Sequence, residues 1–278
     1  MDKSLSRSAG PRQCGPGEGP RGGLGQTGVV LYCGDPHGQF RHIGRAAEEL
    51  KASAVVLLGD LEPQRPLHEE LEPIASKVWF IHGNHDTDTD ANWSNVWESR
   101  LAKRNIHGRV VTLPCGTRLG GLGGVFRESV WYPSLPTEPR FRSPAEHDSA
   151  TPRWDEWRSG RPRKHWSSIY PEELDRLADL RADVLITHEA PGYHRHGFAI
   201  LDTLAQSMGA KVTVHGHHHD RLDSSGSWES QGHRTFGIGL RGITAIDREG
   251  NATIILAGEL DEQRNHRQRY IDTWGDIS

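Results

Sequence analysis

Long apolar runs are missing from this 278-residue sequence. None approaches the roughly 20 residues a membrane-spanning helix needs. The opening stretch, MDKSLSRSAGPRQCGPGEGPRGG, lacks the apolar centre of a signal peptide. Cysteine is scarce: Cys14, Cys33 and Cys115 are odd in number, and their spacing fits neither a zinc site nor a disulfide scaffold. An excess of one charge is also lacking. The net charge of -4 gives no overall pull toward nucleic acid or an anionic membrane. Apolar residues amount to 34%, and mean hydropathy is -0.67. Much of that polarity sits in an irregular head and an irregular middle, which leaves enough apolar sequence for a core. These absences predict a soluble, cytoplasmic protein without a membrane partner.

Histidine is abundant, at 17 residues. Four fall within "TVHGHHHDR": His215, His217, His218 and His219. Their context gives the reason. Residues 1–27, rich in Gly, Pro, Ser and Arg, cannot offset their ordering entropy and are expected to be a disordered tail. From residue 28 the chain alternates apolar runs with helical patterns. "GVVLYCGD", "AVVLLGD", "KVWFIHGNHD", "DVLITHEA" and "KVTVHGHHH" read as strands buried on both faces. "FRHIGRAAEELKA", "YPEELDRLADLRA" with Pro171 in its first turn, and "FAILDTLAQSMGA" closed by Gly209 read as helices. From about Arg234, "RTFGIGL", "GITAID" and "ATIILAGEL" read as a closing antiparallel set, with "DREGN" as a hairpin turn. The alternation predicts an α/β fold of two packed sheets with helices outside. Residues 126 to about 168 break the rhythm with many prolines and arginines and with Trp131, Trp154, Trp157 and Trp166. So long a connection suggests a lid or rim, a subunit contact or a self-packing loop.

Each expected strand ends in metal-capable groups: Asp35 and His37, Asp60, Asn84 and His85 followed by Asp86, His188, then His217 and His219. In α/β sheets, strand carboxyl ends converge where ligands bind. The mixed nitrogen and oxygen set suits manganese, iron or zinc. It is too large for one tetrahedral ion, and two ions sharing a carboxylate would use it all. In extended backbone, residues two apart point the same way, so Asp35 and His37, or His217 and His219, would reach one cluster.

In order, "GDPHG" (34–38), "GD" (59–60), "GNHD" (83–86), His188 and "GHHH" (216–219) resemble the motif series of the calcineurin-like metallophosphoesterases. "GLGG" at 121–124 resembles the small-residue strand between the third and fourth motifs. The resemblance spans about residues 28–260. It implies a four-layer αββα sandwich over 28–278, with the 126–168 segment inserted. It also implies a hydrolase acting on phosphate mono- or diesters through a metal-bridging hydroxide. Asp35, His37 and His219 would hold one divalent cation, Asp60 would bridge, and Asn84, His188 and His217 would hold the other. His85 would assist the leaving oxygen, with Asp86 orienting it. Arg127, directly after "GLGGVF", is the candidate phosphate contact. His82, His194 and His196 are read as packing or loop residues, and Cys33 as a packed strand residue.

"GDPHGQF" also resembles the protein serine/threonine phosphatase and diadenosine-tetraphosphate hydrolase branches. Their "GDxVxRG" signature is replaced here by "GDLEPQRP", with Arg65 displaced, and Asp86 stands where the protein phosphatases carry Glu. A small phosphoester or nucleotide is the expected substrate. Two other classes are a non-catalytic scaffold that uses the Trp-rich insert and a nuclease. The insert from 126 to 166 is nearly balanced, with eight Lys/Arg against six Asp/Glu, so it offers no basic groove for nucleic acid.

Overall fold

Strands in this chain are short, and five of them lead within three residues into Gly-Asp, Gly-Asn, His or Gly-His. A computed structural model describes residues 28–266. The expected tail, residues 1–27, lies outside them. The described strands are β1 (Val30–Cys33), β2 (Ala54–Leu57), β3 (Val78–Phe80), β4 (Arg109–Thr112), β5 (Arg118–Leu122), β6 (Val184–Thr187), β7 (Val212–His215), β8 (Arg234–Gly237), β9 (Ile243–Ile246) and β10 (Ala252–Leu256). The helices are α1 (Arg41–Glu49), α2 (Leu67–Glu70), α3 (Asp90–Trp97), α4 (Pro144–Ala150), α5 (Pro171–Ala178), α6 (Ala199–Met208) and α7 (Trp228–Gln231).

Two five-stranded sheets form, ordered β10-β9-β1-β2-β3 and β4-β5-β6-β7-β8. β1, β2 and β3 run parallel, as do β5 through β8. The period-2 alternation of each strand makes the layers. Tyr32, Val56, Val184 and Val214 meet between the sheets. Leu31, Cys33, Val55 and Leu57 face outward and pack against Ile43 and Ala47 of α1. On the far side, Leu185 packs with Leu174, Leu177, Leu201 and Leu204 of α5 and α6. The result is the expected αββα sandwich. Pro171 opens α5, and Gly209, at φ 67°, ends α6 in the left-handed conformation.

The tail strands depart from the sequence reading. β9 and β10 are antiparallel and join β1, with the "DREGN" hairpin held by the Asp247 carboxylate. β8 instead runs parallel to β7 and extends the other sheet. Arg234–Gly237 and Ile243–Ile246 are each apolar strands, and nothing local says which sheet edge each completes.

The 126–168 segment packs on the body. It is anchored where Val125 bridges Ser168. Trp157 and Trp166 meet Trp93 of α3 edge to face, with ring centroids 4.7 and 5.2 Å away. Arg158 lies over Trp93 and Trp157, and Arg161 lies over Trp166.

Candidate metal centre

The carboxyl ends of β1, β2 and β3 from one sheet meet those of β6 and β7 from the other. The predicted residues therefore gather along the seam between two sheets, not along one sheet edge. Local backbone aims them. Of ten non-glycine residues with positive φ among those described, six sit here: Asp35 (37°), His37 (42°), Asp60 (50°), Glu62 (44°), His217 (69°) and His219 (56°). Each costs on the order of 1–3 kcal/mol and persists only where its surroundings dictate it. The extended alternation expected for Asp35/His37 and His217/His219 is thus replaced by left-handed turns at both residues of each pair. Glycine is required where the loops close on one another. A Cβ at Gly83 would lie 2.2 Å from Asp60 Oδ1, and one at Gly59 would lie 2.4 Å from His188 Nδ1.

Two donor groups result. In the first, ligand atoms of His37, Asp60 and His219 lie within 4.8 Å of one another. The Nε2 atoms of His37 and His219 face each other at 3.0 Å. His37 Nδ1 is hydrogen-bonded to the Glu62 carboxylate, which leaves its Nε2 as the lone-pair nitrogen. In the second, Asp60, His188 and His217 lie within the same limit, so Asp60 belongs to both groups. His188 Nδ1 donates to the Leu58 carbonyl at 2.7 Å. Its Nε2 lies 3.4 Å from Asp60 Oδ1 and 3.2 Å from Asn84 Oδ1. His217 Nδ1 is buried without a hydrogen-bond partner. Asp35 belongs to neither group: it is fully buried, its Oδ1 lies 3.9 Å from His188 Nδ1, and it accepts the His217 amide at 2.9 and 3.1 Å.

Burial pushes Asp35 up to about 7, with His188 pulling it down and Asp60 pushing it further up. Burial works against Asp60 too, but His188 and the His85 amide hold it below the usual carboxylate range. His188 is raised to about 10: burial opposes its charge, and Asp60 and Asp35 outweigh burial. Burial, aided by His188 for His217 and by His37 for His219, lowers these imidazoles to about 3 and 4. Neutral imidazoles, buried carboxylates and an amide oxygen are the donors a borderline divalent cation takes. The orphaned His217 Nδ1 and the two donor groups that share Asp60 fit two such ions.

His85 and Asp86 need separate accounts. His85 is half-buried, its ring centroid 5.6 Å from that of His37, and its amide donates to Asp60. Asp86 does not orient it. The Asp86 carboxylate is fully buried and accepts the amides of Leu61 (2.8 Å), Glu62 (3.0 Å) and Gly83 (2.8 Å). It ties the Asp60 loop to the Asn84 loop. The partner of His85 is Asp88, whose Oδ2 lies 2.6 Å from Nδ1. One turn of 3-10 helix over His85–Thr87 brings residue 88, not residue 86, beside the ring. Burial depresses the His85 charge, but Asp88 and Asp60 outweigh it and the net direction is upward.

Arg127, the candidate phosphate contact, lies beside the second donor group. It lines a cavity of about 310 Å³ shared with Asn84 and His217 and bonds Ser167 Oγ at 3.2 Å. Its Nε is buried without a partner. Glu189, Glu62 and Asp88 were missed from sequence. Glu189 directly follows the candidate ligand His188 and accepts the Phe126 amide, with Oε2 3.8 Å from His217 Nε2. Glu62, two residues past Asp60, and Asp88, three past His85, had only short-range spacing as a signal. His82 is a buried packing residue held by Asn105, and His194 stacks on His218 with centroids 4.0 Å apart. His196 lines the Arg127 cavity.

Residues 28–221 match the family described as calcineurin-like phosphoesterase. An uncharacterized protein of Haemophilus influenzae is 40% identical over 225 residues, covering 80% of this chain and 95% of its own length. The crystal structure of TT1561 of Thermus thermophilus superposes with a TM-score of 0.51 at 15% identity, over 82% of this chain and 98% of that one. At that identity it supports the fold alone. The family match covers well over half the chain and includes every candidate ligand from Asp35 to His219, and so this protein belongs to the calcineurin-like phosphoesterases.

Proposed function

We propose that the protein hydrolyses small phosphate mono- or diesters with the help of two divalent cations, manganese or iron and zinc. The observation that carries this reading is the pair of donor groups sharing Asp60. Asp35, His37, Asp60 and His219 would hold one cation, and Asp60, Asn84, His188 and His217 the other. Such ions supply Lewis acidity, polarising phosphoryl oxygens and acidifying water.

The chain's own groups do the rest. Glu62 and the Leu58 carbonyl fix the tautomers of His37 and His188. The Arg127 guanidinium, aimed at the cavity, binds phosphoryl oxygens. His85, its Nδ1 proton held by Asp88, presents Nε2 as the proton donor to the leaving oxygen. The thiols of Cys33 and Cys115 are free, which fits a reducing cytoplasm.

The test is turnover of 4-nitrophenyl phosphate and bis(4-nitrophenyl) phosphate by chelated protein reloaded with Mn²⁺, alongside metal analysis. Metal-dependent release of nitrophenol with about two ions per chain is expected. Two tightly bound ions with neither ester turned over would favour the scaffold.

A further inference from the structure

His85 and Asp88 sit on and just after a single turn of 3-10 helix, His85–Thr87, beside the seam. A turn this short does not hold itself in water, so its neighbours must fix it. The seam holds the near end: the His85 amide donates to Asp60 at 2.9 Å, and Asn92 Nδ2 donates to the His85 carbonyl at 2.9 Å. The far end carries Asp88. It meets the place where the 126–168 arm returns to the body as a second 3-10 turn, Arg163–Ser167. Carbonyls at a helix end lack donors within the helix. Here one side chain of the arm supplies them. Arg163 Nε donates to the Thr87 carbonyl at 3.0 Å, one terminal nitrogen donates to the Asp88 carbonyl at 2.7 Å, and the other pairs with the Asp90 carboxylate. The rigid planar fork of a guanidinium reaches these acceptors at once, which a lysine ammonium does not. Beside it the hydroxyls of Ser167 and Thr87 meet at 2.8 Å. All three Arg163 contacts fall on residues 87–90, and none of these is a candidate cation ligand.

We infer that Arg163 is a positioning residue for the proton donor, and that the inserted arm serves catalysis by bracing the turn that carries it. The inference rests on the phosphoesterase reading above, in which His85 protonates the leaving oxygen. Three links connect arm to proton. Arg163 fixes the backbone of Asp88, the Asp88 carboxylate holds His85 Nδ1 at 2.6 Å, and the ring then presents Nε2. The side chains of His85 and Asp88 are 44% and 53% exposed, so core packing does not hold them in place. Placement matters here, because an error of about 1 Å costs about 10²-fold in rate. Without Arg163 the Asp88 backbone is free to shift and the ring to swing from the leaving oxygen, while every cation donor stays where it was.

The experiment reads leaving-group dependence. A 4-nitrophenolate is a weak base and departs without a proton, whereas phenolate is a stronger base and departs with the help of one. The Mn²⁺-loaded full chain is assayed on 4-nitrophenyl and phenyl phosphate, or on the matching diesters if diesters are what it turns over. Arg163→Ala should lower kcat for the phenyl ester by about 10-fold or more, part of the roughly 10²–10⁴-fold that a general acid contributes, and for the nitrophenyl ester by less than about 3-fold. KM and the content of two ions should stay near those of the unmutated protein. Arg163→Lys, which keeps the charge without the fork, should shift the ratio of the two esters less and in the same direction. It carries the test if the alanine variant does not fold. Arg158→Ala loosens the arm from Glu98 and Ser94 without touching the turn, and should leave the ratio unmoved. With His85→Ala already in place, Arg163→Ala should cost the phenyl ester nothing more, because the two act through one proton. The brace is overturned by equal loss on both esters, by loss of an ion, by the same shift in Arg158→Ala, or by a full second loss in the double variant. No turnover of the phenyl ester by the unmutated protein also overturns it, since no proton is then being delivered. These outcomes leave the phosphoesterase reading standing, while no turnover of any ester removes that reading and this inference with it.

Discussion

At the strand ends, Asp35, Asp60 and Asp86 lie buried on left-handed or tightly turned backbone, with no Lys or Arg paired to them among the described residues. In the 126–168 arm, by contrast, charge comes with its own partners. Arg161 bonds Asp148 at 3.1 and 3.2 Å and covers Trp166, Arg158 lies over Trp93 and Trp157, and Trp154 is 89% exposed. The seam is arranged for a ligand and is costly without one. The arm's charges are largely paired, within it or with the body, and it contributes shape. Changes at the seam should therefore act on metal content and turnover, and changes in the outer arm on stability alone.

The largest effect should come from Asp60→Asn, which removes the donor common to both groups. Metal content should drop below one ion per chain, and turnover should fall by about 10³-fold or more, several kcal/mol of lost charge stabilisation. Two tightly bound ions in that variant would refute the shared role. His85→Ala should lose about 10²–10⁴-fold in kcat while keeping both metals. Equal loss of metal would make His85 a ligand instead.

Stripping the metals with a chelator should lower the melting temperature by about 5–10 °C, reversibly. This follows from about 2.7 kcal/mol of linkage at a hundredfold excess of ion over Kd, spread over a domain of this size. The physical cause is the loss of ions that bind the folded seam, where Asp35 and Asp60 are buried together, and not the unfolded chain. An unchanged melting temperature would break the contrast between seam and arm.

Asp86 and Asp88 sharpen the comparison from within one turn. Asp86→Asn keeps one acceptor oxygen for Leu61 and Glu62 but sets an NH2 group against the Gly83 amide, and should cost about 1–3 kcal/mol in unfolding free energy, read by denaturant melts. Asp88→Asn should leave stability near that of the unmutated protein and lower kcat with the metals retained. The smallest effect is in the arm: Arg158→Ala should cost about 0.5–1 kcal/mol, the scale of an exposed cation–π contact, with turnover of nitrophenyl phosphate measured in parallel.

Much of the site was legible because its residues are punctuation. Asp35, Asp60, Asn84, His188 and His217 each follow an apolar run, and strand ends converge in any α/β sandwich. The residues that support the ligands were not legible. Glu62, Asp88 and Glu189 are ordinary acidic residues in loops, and a single 3-10 turn decides that residue 88 rather than residue 86 meets His85. The arm's Trp and Arg content set it apart, but did not show that Trp157 and Trp166 would seek Trp93, 64 and 73 positions away.

By itself the sequence determined most strands, though not β4, the helices α1, α5 and α6, though not α3, and which residue types stand at the strand ends, because hydrophobic period and glycine placement are local properties. Only the tertiary structure decided that two sheets contribute to one seam, that β8 joins β7 while β9 joins β1, and which carboxylate holds which imidazole. Those outcomes depend on contacts between segments far apart along the chain. Such contacts are set by the packing of whole faces and leave little trace in any short stretch.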